Sequence, residues 1–143
     1  MAKTQYWLIK SEPSVYAYAQ LEKDRKTDWT GIRNYEARNN LRAMKPGDLC
    51  LYYHSNEDKA VVAVAKVLTA AGPDPTAPGE DWASVEVAPV VALKEPVTLA
   101  TVKKTPAFKD LQLITRSRIS VVPVSAEHFK LILKLGKTTL PKK

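Results

Sequence analysis

The chain has 143 residues, enough to bury one core and too few for two domains of ordinary size. Its 22 Lys and Arg against 15 Asp and Glu leave a net charge of +7, which favours an anionic partner such as RNA, DNA or acidic lipid without choosing among them. A single cysteine, Cys50, excludes an intramolecular disulfide and a cysteine-based zinc site, and no segment offers the ~20 apolar residues of a membrane span or the apolar run of a signal peptide, so a cytoplasmic or nuclear protein is expected.

The first element is "QYWLIK", a short run of β-formers stopped by "SEP", which reads as a buried strand and a turn. Ser14 then stands where it could cap a helix over residues 15–24, with Val15, Tyr18 and Leu21 (or Ala19) inward. A second helix fits "YEARNNLRAM": Ala37, Leu41 and Met44 share one face and Arg38 and Arg42 another, before Pro46 and Gly47 turn the chain. From Asp48 the period becomes strand-like. "DLCLYYHS", "AVVAVAKVLTAA" and "SVEVAPVVALKEPV" follow in succession, the last carrying Pro89, which marks a bulge or an edge. Between the second and third lies "GPDPTAPGED", a surface loop without periodicity.

"TLATVKKTPAFKD" reads as a broken short helix and "RSRISVVPV" as a further strand. "SAEHFKLILKLG" reads as a closing helix capped by Ser125 and stopped by Gly136, and residues 137–143 as a frayed basic tail. Strands scattered between helices, with three in a row at the centre, predict an α+β domain with a curled, barrel-like sheet.

Enzymatic signatures are mostly missing. There is no phosphate-cradling glycine loop, no His-Glu-x-x-His, no serine elbow, and only two histidines, His54 and His128. Cys50 sits in an apolar strand and reads as an inert thiol. Glu12, Asp28 and Glu36 are carboxylates that sequence spacing does not bring together.

The stretch "DWTGIRNYEARN" is better suited to binding. Trp29 supplies a π-face on which a base could stack, Gly31 a tight turn, Arg33 a charged donor, and Asn34 an amide for a base edge; the helix start beside them suits a phosphate. Each residue also has a structural reading: Trp29 as core, Asn34 as a helix cap, Arg38 and Arg42 as a solvated face. Alternation in "CLYYHS" puts Cys50, Tyr52 and His54 on one face and Leu51, Tyr53 and Ser55 on the other, where His54 could equally satisfy a backbone group. Tyr16 and Tyr18 read as packing.

Taken together, "YWLIKSEP", "DWTGIRNYEARN", "MKPGDLCLYYHS" and "RSRISVVPVS", in that order, resemble the EVE domain family over nearly the whole chain. The departures are conservative, "GIRN" for the family's "GVRN" and "SRIS" for "SRLS". The resemblance implies a PUA-like fold, related to PUA and YTH domains, over residues 1–136, with residues 137–143 as the tail. It implies a non-catalytic reader of a modified, methylated nucleobase in DNA or RNA, with no cofactor and no metal. Carried over by position, the pocket would be bordered by Lys10, Ser11 and Glu12, walled by Trp29, and completed by Arg33, Asn34, His54, Ser55 and Arg118. The alternatives are an enzyme or enzyme subunit in RNA or DNA modification, and a protein-interaction adaptor. Oligomeric state is left open.

Overall fold

Alternation in β1 (Tyr6–Ser11) sends Trp7 and Ile9 to one face of a sheet and Leu8 to the other; all three are buried, so the strand is covered on both sides. The computed structural model describes residues 4–56 and 58–140. β1 pairs in parallel with β3 (Leu49–His54) and antiparallel with β8 (Val121–Val124). β3 pairs with β4 (Ala60–Val67), β4 with β7 (Glu86–Thr98), and β7 with the short edge strand β2 (Thr27–Asp28), all antiparallel. The strand order is therefore β2-β7-β4-β3-β1-β8. A separate small hairpin joins β5 (Gly72–Pro73) to β6 (Ala83–Ser84).

β7 has 13 residues opposite the 8 of β4, and the surplus is absorbed at two register shifts, between Val61 and Ala63 and between Val64 and Ala65. Pro89, which has no N–H to give the ladder, sits at the second, and such bulges bend and twist the sheet into its curl.

One face of the sheet packs Trp7, Ile9 and Tyr52 against Tyr18, Leu21, Trp29, Ala37 and Leu41. The other packs Leu8, Leu51 and Val64 against Phe108, Phe129 and Ile132. Helix α3 (Tyr35–Ala43) lies on the first face, its apolar side inward as the spacing predicts, and Asn40 Nδ2 ties it to the carbonyl of Val121 at 2.6 Å. Helix α6 (Ala126–Leu135) covers the second, with Ser125 Oγ accepting from the His128 amide, a cap worth about 1 kcal/mol. Gly136 ends it with φ −80°, so its need is space: a Cβ there would stand 3.0 Å from Leu93 Cδ1 and 3.1 Å from Glu95 O. The broken helix appears as α4 (Leu99–Lys104) and a 3-10 turn at Pro106–Phe108.

Four expectations are corrected. The first helix is two pieces, α1 (Pro13–Tyr16) and α2 (Tyr18–Asp24), with Ala17 extended between them, because the Tyr18 amide donates to His54 Nε2 at 3.1 Å instead of continuing the helix. Pro13 starts α1 ahead of Ser14, which is therefore no cap, and Val15 is 74% exposed rather than inward. Residues 116–120 are not strand: α5 (Gln112–Thr115) is followed by a turn in which the Ile119 amide reaches Arg116 O, and pairing begins only at Val121. The start of the tail is not frayed, since Thr138 is buried and its Oγ1 accepts from the Lys94 amide at 2.9 Å; residues 141–143 lie outside the described residues. The "GPDPTAPGED" loop is the surface connection expected, apart from its first two residues in β5, and its Asp74 braces the site below.

Candidate functional site

β2 delivers the chain to Trp29, whose amide donates to Val85 O at 2.7 Å, and the backbone then leaves the sheet through Thr30, Gly31 and Ile32. Gly31 has φ +81°, a conformation that a side chain would strain. Its amide donates to Asp74 Oδ2 at 2.9 Å, and the same oxygen accepts from Arg33 Nη1 at 3.0 Å. Asp74 Oδ1 accepts from the Thr76 amide and hydroxyl, both at 2.7 Å. Burial alone would push this carboxyl up, but the hydrogen bonds from Thr76, Gly31 and Arg33 outweigh it and hold Asp74 well below the usual carboxylate range. The loop from β5 to β6 is thereby bolted to the 29–33 segment by an ion pair whose carboxylate is buried, whose Arg33 is exposed, and in which every carboxylate lone pair is used.

The segment walls a pocket of about 410 Å³, within the range of small-ligand sites. Lys10 and Ser11 enter from the end of β1, Val15 and Tyr16 from α1, and Thr27, Asp28, Trp29, Thr30, Gly31 and Ile32 from the strand and turn. Trp29 is only 7% exposed and meets Tyr52 edge to face, with centroids 5.5 Å apart at 81°, and Tyr16 at 6.4 Å and 80°. It is thus core on one side and pocket wall on the other, so the two readings of this residue do not exclude each other. Lys10 Nζ donates to Ser117 O at 2.8 Å, and burial lowers its pKa.

Lys10, Ser11 and Trp29 come together here; the other residues named from sequence stand outside this lining. Arg33 is spent on Asp74, on Thr76 Oγ1 and on the carbonyl of Ile32. Asn34 caps α3, its Oδ1 accepting from the Ala37 amide at 2.9 Å. His54 accepts from Tyr18 N through Nε2, which leaves Nδ1 to carry the proton toward Asp58 Oδ2 at 2.8 Å. Ser55 donates its amide to Ser11 O, and exposed Glu12 occupies the cap position of α1 without a side-chain bond. Arg118 is exposed in the turn that Lys10 anchors. Tyr16 was legible only as packing, while Thr27 and Thr30 carried no signal beyond lying beside Trp29. Asp74 stood in a loop with no pattern.

Cys50 is fully buried, and burial and then the nearby charge of Asp48 push its thiol up, the opposite of what a nucleophile requires. Among the described residues no three of His, Cys, Asp and Glu gather to hold a metal ion.

The model of the EVE domain matches residues 5–135. The chain is similar to thymocyte nuclear protein 1 of Mus musculus, 34% identical over 94% of this chain and 75% of the relative. Among solved structures it superposes on a protein of Agrobacterium tumefaciens with a TM-score of 0.93, at 39% identity and 98% coverage of both chains. It superposes on human THYN1 protein in complex with 5-methylcytosine containing DNA with a TM-score of 0.87, at 30% identity over 95% of this chain and 99% of that one.

Proposed function

Because the chain belongs to the EVE domain family and has a PUA-like α+β fold, we propose that it is a non-catalytic nucleic-acid-binding module that holds one modified base in the Trp29 pocket. The observation that carries this reading is the meeting in the lining of one cavity of two aromatic residues, Trp29 and Tyr16, with Lys10, Ser11, Thr27 and Asp28, residue types that supply donors and acceptors. A base needs both at once: a π-face to stack on, and donors and acceptors at its edge. The human relative solved with methylated DNA supports 5-methylcytosine as the base class. In this arrangement Asp28 accepts from the exocyclic amine of the cytosine, Lys10 and Ser11 donate to its ring nitrogen and carbonyl, and Val15 and Ile32 give the added methyl a dry contact.

The remaining residues act around the pocket. Arg33 holds the wall through Asp74, Asn34 starts α3, and His54 fixes the break that turns Tyr16 toward the site. Glu12 and Ser55 frame the rim, and Arg118 adds charge for a phosphate. Extruding a base from a duplex costs a few kcal/mol while one stack returns ~1–3 kcal/mol, so an unpaired base is the better substrate for binding. The mouse relative is by name a nuclear protein, and a reader of this kind works where nucleic acid lies, in the nucleus or, without one, the cytoplasm. Among the described residues no helix is long and apolar enough to cross a membrane.

The test is an anisotropy titration of single-stranded oligonucleotides, each with one modified base, against unmodified twins. Burying one methyl is worth about 0.8 kcal/mol, so the 5-methylcytosine strand should bind roughly fourfold tighter than its cytosine twin. Equal affinity across the whole modified set would sink the pocket assignment. Mass spectrometry of the recovered strands should show no change, and a mass shift would replace the binding module with an enzyme.

A further inference from the structure

Beside the pocket, the α3 start and the β5–β6 loop build a second aromatic surface. Tyr35 and Trp82 are stacked, with centroids 5.3 Å apart and an interplanar angle of 12°. Arginines frame the stack: Arg38 lies 5.0 Å from the Tyr35 ring centre and Arg33 5.6 Å from that of Trp82. Arg38 and Arg42 both reach Asp81, the residue before Trp82. Tyr35 is nevertheless 67% exposed, so the pair buries little of it. The core does not require a Tyr in that position.

The surface is mechanically continuous with the pocket. Tyr35 follows the pocket residue Ile32 by three positions, and the Asp74 amide donates to Trp82 O at 3.0 Å while the Asp74 carboxylate holds Gly31. One buried residue therefore positions both the pocket wall and the stacked pair. An open aromatic face backed by guanidinium groups, on a chain of net charge +7, has the chemistry for a nucleobase and its phosphate.

We propose that Tyr35, supported on Trp82, is a second stacking platform that takes a base flanking the recognised one in single-stranded nucleic acid, with Arg38 and Arg42 beside the linking phosphate. The proposal rests on the pocket reading above for its orientation, but its signal is separate. The pocket governs preference for the modified base, while the platform governs how affinity grows with strand length.

The experiment uses the lone nucleotide 5-methyldeoxycytidine monophosphate, which has no flanking base, a trinucleotide strand with a central 5-methylcytosine, which has two, and the cytosine twin of each. Wild-type protein, Tyr35→Ala, Tyr35→Leu and Tyr35→Phe are titrated, each with a thermal melt. The wild type should bind the trinucleotide more tightly than the lone nucleotide by roughly 5- to 150-fold, the range that one base stack supplies. Tyr35→Phe should keep that gain. Tyr35→Leu, which still covers Trp82 but has no π-face, should lose most of it, as should Tyr35→Ala, with the methyl preference unchanged in both. A folded Tyr35→Leu protein that keeps the wild-type length gain overturns the platform, as does a wild type with no gain at all. Loss of methyl preference in the wild type, with the Tyr35-dependent gain intact, would remove the pocket reading and leave the platform standing.

Discussion

Asp74 accepts the amide of Gly31 at 2.9 Å, so a glycine in the pocket wall is held by a buried carboxylate 43 residues further along the chain. That bond lets a positive-φ turn hold its shape at the surface, and it couples the wall to the loop that carries Trp82.

Asp74→Asn should lower unfolding free energy at neutral pH by ~1–3 kcal/mol, because an amide cannot accept from all the donors that the carboxylate satisfies. The pH dependence has a definite sign. A carboxyl held below its unfolded pKa of about 3.9 stabilises the fold fully above that value and loses its contribution as pH falls toward the folded one. Urea denaturation should show the wild type losing stability from about pH 4 downward more steeply than Asp74→Asn. Parallel profiles would refute the assignment.

Trp29 is both wall and core, so its two truncations should separate. Trp29→Ala removes a ring packed on Tyr52 and should cost ~3–5 kcal/mol of stability. Trp29→Phe should remain folded and lose only part of the ~1–3 kcal/mol of stacking. The check is a melt and an affinity titration on each variant; a folded Trp29→Phe with undiminished affinity would count against the stacking role.

Asn34 is occupied as a cap. Asn34→Ala should cost ~0.5–2 kcal/mol of stability, and Asn34→Asp, which caps equally well, should restore it. Both variants should retain the preference for the methylated strand. If Asn34→Asp melts like the parent yet loses that preference, the amide reads the base after all.

Cys50 is sealed in β3 with its thiol pushed up by burial. Alkylation by iodoacetamide should therefore proceed only at the rate of unfolding, and Cys50→Ala should bind oligonucleotides like the parent. Fast labelling of the folded protein would contradict the burial.

Elements whose residues contact near neighbours in the chain are legible from residue order alone. Alternation placed Cys50 and Tyr52 on one face of β3 and Leu51 and Tyr53 on the other, helical spacing turned Ala37 and Leu41 inward, and Asn34 and Ser125 stood where helices need caps. The family phrases likewise pointed to the EVE domain, and three of the site residues named from them share the pocket. The rest depends on bonds between residues far apart in the chain. The helix breaks at Ala17 because a histidine 36 residues away takes the next amide, and an unpatterned loop becomes site scaffold because its Asp74 meets Gly31 and Arg33. Local periodicity reports which face of an element is apolar. It carries no record of which distant donor a buried carboxylate or imidazole will meet, and here those meetings shape the pocket.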